Sequence, residues 1–155
     1  MMSFQMAVGV YDDHRSADAA LGAFLSSSFD LSQLSVVGKE HHHDLYADAY
    51  CRSADRTLYS GKFGTFWVAG PLTAAVIHGL DSTTLSAELN ALGVGLFMQG
   101  VPLEAAVEYE AAVRDDKYLL VVHGVEVDVD SAAAVMVPGA AKVRMHTGNV
   151  SFPPA

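Results

Sequence analysis

Residues 102–122 read PLEAAVEYEAAVRDDKYLLVV, and this stretch decides the fold. Pro102 suits a first helical turn, where its missing N–H costs nothing. Glu104 stands near the positive end of the helix dipole, and Arg114 and Lys117 near the negative end. Ala106, Tyr109 and Val113 share one apolar face, and Glu110 and Arg114 form an i,i+4 pair. Tyr118–Val122 then runs apolar without alternation, as a central strand does when both its faces are covered.

On the N-terminal side, Met6–Tyr11 (MAVGVY) is a short apolar strand that stops at Asp12-Asp13. Asp12, Asp13 or Ser16 can cap the next helix, whose apolar residues Ala17, Ala20, Leu21 and Phe24 recur at helical spacing. Leu34–Gly38 (LSVVG) is the second strand. On the C-terminal side, Asp128 or Asp130 caps a short helix, Ser131–Val137, which Pro138-Gly139 ends. In the last strand, Lys142–His146, Val143 and Met145 alternate with Lys142, Arg144 and His146, so one face is wet. Two split β-α-β units around one sheet predict a ferredoxin-like α+β sandwich with four antiparallel strands and helices on one face. The core comprises residues 4–38 and 102–147 of a single domain, 1–155. The other face of the sheet needs a cover, either from the rest of the chain or from a second subunit.

Between strands 2 and 3 lies an insert, residues 39–101. Lys39–Ser60 reads as a long polar loop with a strand extension near Tyr46–Cys51. Gly61–Gly100 holds seven of the 13 glycines, and its composition is strongly apolar. A helix is expected after Pro71, and another over Thr83–Leu92, where Leu85, Leu89 and Leu92 repeat at helical spacing. Phe63–Leu80 is uncharged over 18 residues, the lower bound for a membrane span. Pro71 and His78 interrupt it, and Ala91–Leu103 is too short to return across a bilayer. A packed helical hairpin or an oligomer interface is therefore expected, and no membrane insertion.

Composition narrows the function classes. The net charge of −9 argues against nucleic acid and against anionic lipid, both of which need a basic footprint. The chain is 51% apolar and 17% charged, so disorder is not expected, and its apolar excess must be buried somewhere. Cys51 is the lone cysteine, which excludes an intrachain disulfide. The start, MMSFQMAVGVYDD, shows no secretory pattern, so a cytoplasmic location is expected.

Three segments carry a resemblance. They are Val8-Gly9-Val10-Tyr11-Asp12-Asp13, the Leu34-Ser35-Val36-Val37-Gly38-Lys39 run after an Ala/Leu-rich helix, and Gly100-Val101-Pro102-Leu103-Glu104-Ala105-Ala106-Val107-Glu108-Tyr109-Glu110. Together with the strand Tyr118–His123, they resemble bacterial general-stress (heat-induced stress) proteins and related small proteins with a glycine-rich insert. The resemblance implies a ferredoxin-like core and a stress-related, non-enzymatic role, and it transfers no catalytic residue. The chain departs from that pattern in its longer, His-rich loop Glu40–Tyr59 and in bulky Phe63, Phe66, Trp67 and Phe97 within the insert.

Candidate chemistry concentrates in Glu40-His41-His42-His43-Asp44, with Asp48 and Cys51 downstream. In an extended segment His41 and His43 face one side, and with Asp48 and Cys51 they make four zinc-type ligands. Three adjacent histidines cannot all converge, and the spacing matches no zinc motif, so a solvated polar loop is the competing reading. Gly61-Lys62-Phe63 is not a phosphate loop: Arg56 stands where the first glycine belongs, and Phe63 where Ser or Thr belongs. His14, His78, His123 and His146 are scattered among serines, with no nucleophile elbow. The reading that follows is a non-enzymatic, self-associating module, a homo-oligomer. A metal- or small-ligand-binding protein using residues 40–51 is the alternative, and an enzyme with a pocket on the sheet face is the second.

Overall fold

In a computed structural model of the chain, the structure describes residues 4–26, 33–38, 56–60, 64–70, 72–81, 91–137 and 139–147. The elements in order are β1 (Phe4–Tyr11), α1 (His14–Ser26), β2 (Leu34–Gly38), β3 (Arg56–Ser60), β4 (Gly64–Ala69), α2 (Leu72–Asp81), α3 (Ala91–Met98), α4 (Leu103–Arg114), β5 (Tyr118–Val125), α5 (Glu126–Met136) and β6 (Lys142–Thr147). The class is α+β. The strands form one sheet in the order β3-β4-β2-β5-β1-β6, and every neighbouring pair is antiparallel.

The sheet has six strands, two more than the sequence pattern predicts, because β3 and β4 come from the insert and extend it beyond β2. The end of the expected polar loop is strand β3, and the glycine-flanked stretch before Pro71 is strand β4. In β4 the alternation is visible only in burial: Phe66 and Val68 are fully buried on one side, and Trp67 packs half-buried on the other. The strand extension expected near Tyr46–Cys51 and most of the helix expected over Thr83–Leu92 lie outside the described residues.

Helices cover both faces. On one face, Ala7, Tyr11, Leu34, Val36, Leu120 and Val122 meet Leu21 and Phe24 of α1 and Val129 and Met136 of α5. On the other face, Met6, Val8, Val37, Leu119 and Val121 meet α2, α3 and α4 through Leu72, Val76, Leu92, Leu96, Tyr109 and Val113. The face left open by the sequence pattern is thus covered by the chain's own insert together with α4. This two-sided burial explains the unbroken apolar run in β5, whose successive side chains enter opposite cores.

Local chemistry sets the helix ends. Asp13 Oδ1 accepts the Ser16 N–H at 2.8 Å and caps α1. The buried Ser35 hydroxyl accepts the Leu72 N–H at 2.9 Å and caps α2 from the neighbouring strand β2. α5 begins at Glu126, so Asp128 and Asp130, expected as caps, lie inside it. α3 ends in a Schellman motif, with Val101 N–H on Leu96 O and Gly100 N–H on Phe97 O, both at 3.1 Å, and Gly100 at φ 108°. Residues 91–96 of α3 are all buried, as in a helix enclosed on every side. A Cβ on Gly95 would stand 2.9 Å from Val76 Cα, so glycine lets α2 and α3 touch backbone to backbone. No helix among the described residues is long and apolar enough to cross a membrane.

Candidate functional site

The four residues read as metal ligands, His41, His43, Asp48 and Cys51, lie outside the described residues, as do Gly61, Lys62 and Phe63. Of the scattered histidines, His14 opens α1, His78 lies in α2, His123 is on β5 and His146 on β6. Among the described residues no three His, Cys, Asp or Glu side chains are grouped to hold a metal ion.

The structure instead assembles a polar cluster between α4 and β6. Along β1, Val10, Val8 and Met6 lie opposite Lys142, Arg144 and His146, so those three polar residues point to the α4 side of the sheet. There the Arg144 guanidinium donates to Glu108 Oε2 at 2.9 Å, and the Lys142 ammonium lies 3.9 Å from the same oxygen. Tyr109, one turn position on, places its hydroxyl 2.6 Å from His146 Nε2 with the rings edge to face. The face expected to be wet stays partly exposed at Lys142 and Arg144 and also meets α4 through Glu108 and Tyr109. Val143 packs on the opposite core, and Met145 is exposed.

Burial shifts the protonation of Tyr109 and His146. It pushes the Tyr109 phenol up to about 12, an effect that the nearby Arg144 partly offsets. Burial, and then the Arg144 charge, lowers His146. At neutral pH the pair is an uncharged hydrogen bond between phenol and imidazole. Met6 lies opposite His123 as well as His146, so the two imidazoles flank it on one face. His123 is lowered to about 4 by burial.

Beside the cluster runs a groove of about 360 Å³ with an apolar floor of Val10, Ala111, Ala112 and Ala141. Its rim carries Glu108, Asp115, Lys117 and Lys142, two charges of each sign. Lys117 pairs with Asp12 at 3.4 Å. Such a groove has no net preference for an anion or a cation.

A second surface feature lies at the α3–α4 corner. Phe97, Met98 and Leu103 are 37%, 48% and 41% exposed, while Gln99 between them is only 6% exposed and its buried Oε1 has no hydrogen-bond partner among the described residues. Sequence reasoning took Phe97 and Met98 as part of a packed insert. Their place in the last turn before a Gly-Val-Pro helix stop is the signal that such residues project beyond the packed bundle. The chain matches no protein-family model, no curated protein and no solved structure.

Proposed function

We propose that this chain is a non-enzymatic interaction module that self-associates through the α3–α4 corner. The observation that carries this reading is the half-exposed Phe97, Met98 and Leu103 around a hydrogen-bonded turn. The strand order β2-β5-β1-β6, with α1 and α5 on one face, fits a ferredoxin-like core, to which β3, β4 and the insert helices are additions. That core, the resemblance to general-stress proteins and a cytoplasmic location go together as one reading. Helices on both sheet faces leave little room, among the described residues, for an enzyme that uses the sheet face as a pocket.

The corner exposes on the order of 200 Å² of apolar surface per copy, well short of the ~800 Å² per partner of a stable complex. Association is accordingly weak, with a Kd near the millimolar end of the scale, about −4 kcal/mol. Copies carrying a charge of −9 also repel, so added salt strengthens the contact by screening. Light scattering across a concentration series at low and high salt tests this. Mass should rise with concentration, more steeply in salt, and Phe97→Asp should abolish the rise. A monomer under all conditions, or a rise that Phe97→Asp leaves intact, removes the reading.

A further inference from the structure

We infer that the α4–β6 contact is a proton-sensitive latch on the terminal strand: protonation of His146 weakens the hold of β6 on α4 while the rest of the sheet stays paired. β6 is the outermost strand, hydrogen-bonded to β1 alone among the strands of the sheet. Among the described residues, its side chains reach the covering layer through the Tyr109–His146 bond at 2.6 Å and the Arg144–Glu108 bond at 2.9 Å, with Lys142 at 3.9 Å from Glu108. Tyr109 from α4 and Arg144 from β6 act on His146 directly, and on the same strand face Glu108 of α4 pairs with Arg144 and Lys142. From β1 there is the uncharged Met6, with His123 of β5 beyond it.

With a neutral ring in the Nδ1–H tautomer, Nε2 accepts the phenol proton, and the Arg144 guanidinium lies near the phenol oxygen. A proton on Nε2 ends that arrangement, because an imidazolium only donates. The phenol oxygen then stands between two cationic donors, and its own O–H loses its acceptor. Lys142, Arg144 and His146 become three cations on one strand face sharing the carboxylate of Glu108. Burial and the Arg144 charge both oppose protonation in the closed strand, so the ring takes up its proton more readily once β6 has moved into water. The neutral ring's contribution is complete above the free-imidazole value of about 6.5 and is lost as pH falls toward the lowered folded value.

Hydrogen exchange of the backbone amides tests the latch. Between pH 7.5 and 5.5, after correction for intrinsic exchange, protection over residues 142–147 should fall relative to 118–122 by up to about tenfold per pH unit below pH ~6.5. His146→Gln keeps a side-chain acceptor and cannot titrate, so its β6 protection should be flat with pH. Arg144→Gln removes one of the two effects that lower the ring in the closed strand, so the window narrows and the total pH-dependent loss should be smaller. In the unmodified protein, the His146 ring followed by NMR should titrate below the free-imidazole value, where the loss of β6 protection levels off. The inference is overturned if β5 and β6 lose protection in parallel, if His146→Gln keeps the response, or if the ring in the folded protein titrates at or above the free-imidazole value.

Discussion

Glu110 provides the sharpest test of how the insert is held. It is 1% exposed, and its Oε2 accepts the Gly93 N–H at 2.7 Å, in the first turn of the fully enclosed helix α3. A carboxylate there satisfies an orphan donor and meets the positive end of the α3 dipole. Burying a charge is costly, so two effects oppose each other when it is removed. Glu110→Ala relieves the desolvation of the carboxylate. It also strands a buried N–H that water cannot reach and leaves a void. A hydrogen bond to a charged group contributes about 1.5–3 kcal/mol, and breaking a buried charged contact from one side costs about 3–5 kcal/mol, so the loss wins. We expect Glu110→Ala to cost about 3 kcal/mol, a fall in Tm of roughly 6–12 °C for a chain of this length. Glu110→Gln keeps an oxygen acceptor without the charge and should cost about 1 kcal/mol. Glu110→Leu fills the void but offers no acceptor, so it should fall between the two. Urea unfolding with an unchanged m-value is the assay. A Glu110→Leu variant as stable as the parent would refute the reasoning, because it would mean that the carboxylate does not hold α3.

Two further expectations follow from other parts of the chain. Asp116 takes φ 66° in the Schellman motif that ends α4, where Lys117 N–H reaches Ala112 O at 2.9 Å and Asp116 N–H reaches Val113 O at 3.0 Å. Asp116→Gly should therefore raise stability by about 0.5–1 kcal/mol, read as a higher urea midpoint, since glycine adopts this conformation without steric cost. If His41, His43, Asp48 and Cys51 close a zinc site, micromolar zinc should raise Tm in proportion to ln(1 + [L]/Kd), and His41→Ala with His43→Ala should remove the rise; an unchanged Tm eliminates the site.

The tertiary contacts also show why some features were legible in the chain and others were not. The cap at Asp13, the helix opened by Pro102 and the strand Tyr118–Val125 each rest on residues within a few positions of one another, so spacing alone reveals them. β4 escaped because its alternation spans only Phe66, Trp67 and Val68 and stands in a glycine-flanked apolar stretch that fits helix or strand equally. Glu110 reads in sequence as half of an i,i+4 pair with Arg114, and the structure buries it. Its acceptor role depends on Gly93, seventeen residues earlier in the chain and on another helix. Tyr109 and His146 stand 37 residues apart and meet only because β6 pairs with β1 in a particular register.

The sequence by itself determined the α+β class, the four strands β1, β2, β5 and β6, and the helices α1 and α4, because periodicity and capping are local hydrogen-bond and burial patterns. It also determined that so apolar a chain must cover both sheet faces. Only the tertiary structure decided that the insert supplies two of the strands and much of the second cover, and that the last strand's basic face meets α4. Those outcomes depend on which distant surfaces bury one another, on a backbone approach that Gly95 permits, and on a carboxylate that finds its donor only after two helices have packed.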